Sequence, residues 1–104
     1  MAYAVSLAAR AERDLAGIYE HIHAADSAVA LGWFEGLRRA IFTLQEHPDR
    51  CVVTPESRKV RHLFYGHKPR IYRVIYLVAE DEKRVYVLHI RHGARRRFRT
   101  RDIL

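Results

Sequence analysis

The hydrophobic pattern of this 104-residue sequence changes its period at Pro48, and the change divides the chain into two kinds of structure. Before Pro48, apolar residues recur three and four positions apart, as they do on one face of an α-helix. After Pro48, apolar positions alternate along the chain, which is typical of β-strands. A chain of this length has room for one domain, covering residues 1–104. The pattern therefore predicts a single α+β domain.

Two amphipathic helices are predicted in the first half, after a short opening strand at residues 3–8. One apolar stripe covers residues 11–22 and the other covers residues 30–44. Asp26-Ser27, between the stripes, supplies side-chain oxygens of the kind that cap a helix N-terminus. His47-Pro48 ends the second helix, because a residue before proline is disfavoured in the helical region. Two helices joined by a short link make an αα-hairpin.

Three strands are predicted in the second half, at residues 60–66, 70–78 and 84–92. The turns between them are rich in Gly, Pro and charged residues and are only about four residues long. Consecutive strands with short turns form an antiparallel meander. The predicted order is therefore β-α-α-β-β-β, with the helical hairpin packed on one face of the sheet.

Alternation along the last two strands predicts which sheet face the helices cover. The wholly apolar face holds Tyr72, Val74, Tyr76 and Val78 of one strand and Tyr86, Leu88 and Ile90 of the next. The other face includes Arg73, His89 and Arg91, and charged groups fit poorly under a helix unless they are paired. We therefore expect the face that carries Arg73 to be open, and we expect Arg73→Ala to leave the fold intact.

Charge is distributed unevenly between the two halves of the chain. Residues 1–50 contain five basic and seven acidic side chains, a net charge of −2, whereas residues 51–104 contain fourteen basic and five acidic ones, a net charge of +9. Sixteen of the nineteen basic residues are arginines, which pair with phosphate through two parallel hydrogen bonds. The second half therefore favours a polyanionic partner.

Several classes of protein are excluded by the same sequence. No apolar run approaches the roughly 20 residues of a membrane span, and no basic segment precedes the first apolar residues as in a signal peptide. We expect a cytoplasmic protein without a membrane partner. Cys51 is the only cysteine, and neither His21 with His23 nor His89 with His92 shares a face of its element. We therefore expect no metal site and no cofactor.

A cluster of six arginines lies between positions 91 and 101, with no acidic residue among them. A solvated basic tail is the simplest interpretation of such a run. However, the cluster begins at a strand end, which fixes side-chain geometry, and Gly93 permits a turn that returns the run across the open face. Phe98 or Tyr65 could stack on a base.

The cluster also suggests a site for RNA cleavage. A groove holding Arg73, Arg91 and Arg95 beside His92 could bind an RNA backbone and stabilise the charge of a cleavage transition state. His92 could give or take a proton near neutral pH. Without a metal, the 2′-hydroxyl of RNA would be the nucleophile.

The order of these residues resembles the RelE/ParE toxin superfamily over nearly the whole chain. The segments that carry the resemblance are Asp14-Leu15, Ile18-Tyr19, Ala30, Leu37, Ile41, Leu44, His47-Pro48, Val60-Arg61, Tyr72-Arg73-Val74-Ile75-Tyr76 and the run from Val87 through His92-Gly93-Ala94 to Arg95. The resemblance implies the toxin of a bacterial type II toxin–antitoxin module, related to plasmid-stabilisation proteins. It also implies a cognate antitoxin that wraps and blocks the toxin and represses the shared operon, so that the toxin meets operator DNA only through the antitoxin.

The superfamily contains two activities, cleavage of messenger RNA on the ribosome and inhibition of DNA gyrase. By position, the resemblance implies that Arg73 contacts the scissile phosphate and that Arg95 is the second catalytic arginine. His92 would replace the C-terminal tyrosine that many RelE-like enzymes carry and this chain lacks. The other expected RNA contacts are Arg61, Arg91, Arg96, Arg97, Phe98 and Arg99. The sequence favours a metal-independent endoribonuclease by a small margin, and a gyrase inhibitor without catalytic activity and a basic binding module or inactive relative remain as alternatives.

Overall fold

Two helices and four strands make up the chain in the computed structural model, which describes residues 2–93. In chain order they are β1 (Ala4–Leu7), α1 (Ala9–His21), α2 (Ala28–Phe42), β2 (Arg61–His67), β3 (Arg70–Ala79) and β4 (Arg84–His92). The predicted β-α-α-β-β-β order is confirmed. The second helix ends earlier than predicted, because Thr43–Gln45 tightens into a 3₁₀ turn before Pro48.

The sheet has the strand order β1-β4-β3-β2. Strands β2, β3 and β4 form the predicted antiparallel meander. Strand β1 adds to the far edge and runs parallel to β4, with Val5 opposite Val85. The sheet is mixed because the helical hairpin acts as a crossover connection, which can return the chain in the same direction.

The two helices cover one face of this sheet. Ser27 caps α2 as predicted, since its hydroxyl accepts a hydrogen bond from the Ala30 N–H at 3.2 Å. The apolar stripes of the helices bury Ile18, Leu37 and Ile41 against the sheet. On the β3 side, the core contains Tyr72, Val74 and Tyr76, as the alternation predicted.

The predicted face of β4 is wrong over part of the strand because of a β-bulge. Ile75 pairs with His89 but the next residue, Tyr76, pairs with Val87, so Leu88 is an extra residue on β4. One extra residue reverses the alternation of side chains. Before the bulge, the core therefore contains Val85 and Val87 in place of Tyr86 and Leu88, whereas Ile90, beyond the bulge, lies in the core as predicted.

The opposite face of the sheet is also covered, by the segment 51–60, which we call the strap. The strap is anchored at its base by a bridge between Val53 and Arg61 and by a 2.9 Å hydrogen bond from the Thr54 N–H to the Val60 carbonyl. Val60 packs against Ile75 in a second, smaller apolar cluster. The expected open face is therefore wrong. The strap has no hydrophobic period, and its path across the sheet could not be read from the sequence.

Candidate functional site

Arg73, the predicted contact for a scissile phosphate, lies in the middle of β3 and is buried beneath the strap. Its Nη1 and Nη2 atoms donate to the two carboxylate oxygens of Glu56, at 2.9 and 2.8 Å. Its Nε donates to Nδ1 of His62 at 3.1 Å. The side chains of Arg73 and Glu56 are only 9% and 3% exposed. The Arg73 fork is therefore occupied by a carboxylate of the same chain.

His62 lies on β2 and completes this cluster of Arg73, Glu56 and His62. Burial lowers the pKa of His62 below its ordinary value, and the positive charge of Arg73 lowers it further, while Glu56 acts in the opposite direction. A neutral imidazole is the form that can accept the hydrogen bond from Arg73. The His62 ring also packs on Phe64, with 4.5 Å between the ring centroids, and Phe64 is 54% exposed.

A closed turn in the strap directs Glu56 toward β3. The Thr54 hydroxyl donates to the Ser57 carbonyl at 2.9 Å and accepts from the Ser57 N–H at 3.0 Å, so the residues between them are held in a tight loop. Arg61 fixes the start of the strap, because its Nη1 donates to the Cys51 carbonyl at 2.5 Å. Arg61, an expected RNA contact, therefore has a structural contact inside the chain.

His89 is also buried, although the sequence placed it on the open face. Its Nδ1 lies 2.7 Å from Oδ2 of Asp14 on α1, and the same oxygen accepts the Ile90 N–H at 2.9 Å. Burial acts to raise the pKa of Asp14, but the hydrogen bonds from His89 and from the Ile90 N–H outweigh it, and the pKa is lowered. The Asp14 carboxylate thus accepts a backbone hydrogen bond from β4 beyond Val87, the last residue of β4 that pairs with β1.

The end of β4 places Arg91 and His92 on opposite faces of the sheet. Arg91 lies across from Arg73 in the register, whereas His92 lies across from Tyr72 and packs edge-on against its ring at 5.1 Å. Both residues are half-buried. His92 borders a cleft of about 410 Å³ on the α1 side, and Arg91 and His21 also line it.

The predicted groove was to hold Arg73, Arg91 and Arg95 beside His92. Within residues 2–93, Arg73 and Arg91 pair on the face beneath the strap and His92 pairs with Tyr72 on the other face, because successive strand residues point to opposite faces. Five of the predicted site residues lie outside the described residues, namely Arg95, Arg96, Arg97, Phe98 and Arg99.

Glu56 and Asp14, the two acids that organise the buried polar groups, were not predicted from the sequence. One signal pointed to Glu56, which is the only acidic residue among positions 51–79 of a strongly basic segment. A lone acid among cations favours an ion pair. Asp14 gave no such signal, because it is one of several acids on α1.

Within the part of the chain that the structure describes, neither helix has the length and apolar character needed to cross a bilayer. Among the same residues, no three His, Cys, Asp or Glu side chains are grouped so that they could hold a metal ion.

Comparison with known protein families identifies the family of this chain. Residues 5–97 match the family described as the ParE toxin of the type II toxin–antitoxin system, parDE. The chain belongs to the ParE toxin family. The match covers nearly the whole ParE-family chain, including the buried Arg73 cluster and the end of β4.

Solved structures show that this ParE-family chain has the RelE/ParE fold. It is 22% identical to a chain of the chromosomal ParDE TA system from P. aeruginosa, with a TM-score of 0.70, covering 86% of this chain and 95% of that one. A free-state double-arginine mutant of the E. coli toxin RelE gives 16% identity, a TM-score of 0.63, and coverage of 90% and 86%. The toxin–antitoxin complex RelBE2 from Mycobacterium tuberculosis contains a chain that is 19% identical, with a TM-score of 0.62, and the match covers 91% of this chain and 95% of that one. No curated protein matches the chain significantly.

Proposed function

We propose that this ParE-family toxin is held inactive by a cognate antitoxin and acts by inhibiting DNA gyrase, without cleaving RNA. The observation that carries the proposal is the occupied fork of Arg73. A RelE-like ribonuclease needs that guanidinium at the scissile phosphate, whereas here a buried carboxylate accepts both of its Nη donors. Inhibition of a protein target needs an accessible surface and does not require a free guanidinium at Arg73.

The alternative, metal-independent cleavage of messenger RNA on the ribosome, draws its support from the end of β4. Arg91 and His92 are half-buried there, and two residues separate His92 from the arginine-rich residues 95–99. In this alternative, His92 transfers a proton and Arg95 replaces Arg73 at the phosphate. The further RNA contacts would be Arg61, Arg91, Arg96, Arg97, Phe98 and Arg99.

Two assays on the purified protein separate these activities. We expect a loss of supercoiling and an accumulation of trapped DNA cleavage by purified gyrase, while transcripts in a cell-free translation reaction stay intact. His92→Gln is the matched variant, and we expect it to retain full inhibition of gyrase. Mapped cuts in ribosome-bound transcripts, lost in His92→Gln and accompanied by normal supercoiling, would establish the ribonuclease instead.

A growth experiment tests the toxin–antitoxin assignment itself. Expression of the chain alone in the cytoplasm of a host cell is expected to arrest the growth of that cell. Co-expression of the small protein encoded beside it is expected to restore growth. We propose that operator DNA is contacted only through that antitoxin. Unchanged growth on expression of the chain alone would instead indicate a basic binding module or an inactive relative.

A further inference from the structure

We propose that the outer edge of β2 is the surface through which this toxin contacts gyrase, and that this edge binds an extended acidic segment of gyrase as an added strand. The outer edge consists of the backbone of residues 64–66 that faces away from β3 and of the turn at Lys68-Pro69. This inference rests on the proposed action on gyrase and names the contact that such an action requires. It leaves the ion pair of Arg73 with Glu56 intact.

The first argument is the hydrogen bonding along β2. This strand lies at the end of the strand order, and one side of it pairs with β3. On the other side the strap pairs only with its beginning, where the His62 N–H donates to the Val52 carbonyl at 3.2 Å. Backbone groups alternate in direction along a strand, so the N–H and carbonyl of Phe64 and Gly66 point the same way as those of His62. Within residues 2–93, these groups of Phe64 and Gly66 have no backbone partner on that side.

The second argument is the arrangement of side chains around the outer edge. The Tyr65 hydroxyl donates to the Trp33 carbonyl at 3.0 Å, so β2 is fixed to α2 on the helical side. Phe64, on the opposite face, is 54% exposed and borders a cleft of about 600 Å³ that Pro69 and Ile71 also line. A strand added to the edge would place alternate side chains on this face, and one of them could enter the cleft. An exposed aromatic ring beside an apolar cleft is a typical anchor of a protein–protein interface.

The third argument is charge, which decides what kind of segment fits the outer edge. Residues 57–79 contain six basic side chains and no acidic one. Arg61 and Arg73 bind acceptors inside the chain, but Lys68 and Arg70, at the turn between β2 and β3, are exposed. A chain with a net charge of +7 repels a second copy of itself at such an edge, whereas it attracts an acidic segment. In strand addition, main-chain hydrogen bonds supply affinity, and pockets for alternate side chains supply specificity.

The activity test uses two substitutions at the outer edge and a matched control for each. Phe64→Thr removes the exposed ring, and Val29→Thr alters an apolar side chain on α2 that is 85% exposed. Lys68→Glu reverses a charge at the turn, and Arg39→Glu reverses an exposed charge on α2. We expect each edge variant to require about tenfold more protein than the wild type for half-maximal inhibition of supercoiling, and each control to match the wild type. Circular dichroism establishes which variants are folded.

Amide hydrogen exchange tests the added strand directly. In the wild-type toxin alone, we expect the amides of Phe64 and Gly66 to exchange quickly and those of Leu63 and Tyr65, which face β3, to be protected. An excess of purified gyrase should slow the exchange of Phe64 and Gly66, because their N–H groups would then donate to the added strand. Supercoiled plasmid without gyrase should leave both amides unchanged. Protection by plasmid alone would assign the outer edge to DNA and would overturn the proposal.

The outcomes separate this inference from the proposed function. If the wild type does not inhibit gyrase, the proposed function fails and this inference fails with it. If the wild type inhibits gyrase, only the inference is refuted when the folded edge variants inhibit equally well or when gyrase leaves the exchange of Phe64 and Gly66 unchanged. Lys68→Glu keeps the activity test available if Phe64→Thr does not fold. Edge variants that no longer co-purify with the antitoxin but still inhibit gyrase would assign the outer edge to the antitoxin and overturn the proposal.

Discussion

Asp14→Ala tests whether one carboxylate holds the exposed edge of β4. Strand β1 ends at Leu7, and the backbone of β4 beyond that point takes its partner from α1. Asp14 accepts two hydrogen bonds there, from the Ile90 N–H and from the imidazole of His89. Alanine removes the single oxygen that accepts both hydrogen bonds and leaves two donors without an acceptor in a largely buried position.

The expected loss follows from these two contacts. A hydrogen bond to a charged group contributes about 1.5–3 kcal/mol, and the side chain of Asp14 is 22% exposed, so water can replace part of what is lost. We therefore take about 3 kcal/mol for the pair. Alanine has a higher helix propensity than aspartate, which offsets about 0.5 kcal/mol of this loss in the free energy of unfolding. The free energy of unfolding should fall by about 2.5 kcal/mol, which corresponds to a Tm lowered by about 10 to 20 °C.

Urea denaturation followed by circular dichroism measures this loss. Glu20→Ala is the control, because it removes an exposed acid from the same helix. Asp14→Asn should fall between the wild type and Asp14→Ala, since the amide keeps one acceptor oxygen. If Asp14→Ala loses no more stability than Glu20→Ala, the carboxylate does not support the strand edge and the reasoning is refuted.

The same contact has a pH dependence of defined sign. Because the pKa of Asp14 is lower in the folded chain than its ordinary value of 3.8, the unfolded chain binds more protons in this range, and stability rises with pH. The difference between the wild type and Asp14→Ala should be complete above pH 3.8 and should shrink toward the value of a neutral acceptor, as in Asp14→Asn, as the pH falls through the lower folded-state value. A constant difference down to pH 2 would contradict the assignment.

Two further substitutions test the packing. Arg73→Ala should reduce the free energy of unfolding by about 3–5 kcal/mol, because it breaks the buried ion pair of Arg73 with Glu56, and denaturation in urea measures the loss. This replaces the expectation of an intact fold. Gly36→Ala should cost about 2 kcal/mol, because the new methyl group collides with the Tyr65 hydroxyl, whereas Gly32→Ala meets nothing and should gain about 0.5–1 kcal/mol. Equal Tm values for the two glycine variants would contradict the packing of α2 on β2.

Local patterns predicted the elements of this fold but not the partners of its charged groups. Three strands were predicted to within one residue of their ends, because alternation is set by neighbours along the chain. The bulge at Leu88 has no such signal, and it moved half of β4 to the wrong face. Glu56 meets Arg73 across 17 residues and Asp14 meets His89 across 75, so both pairs depend on paths that no local period describes.

The charge of the second half therefore has a different meaning from the one its net value of +9 suggests. Part of its arginine content holds the fold together, since Arg73 binds Glu56, Arg61 binds the Cys51 carbonyl and Arg84 donates to Ser6 at 2.6 Å. The two activities of the superfamily make opposite demands on one of these residues. A toxin that acts on a protein needs Arg73 only as an internal cation, whereas a ribonuclease needs it released from Glu56. The position of a single carboxylate thus decides whether Arg73 belongs to the scaffold or to a binding surface.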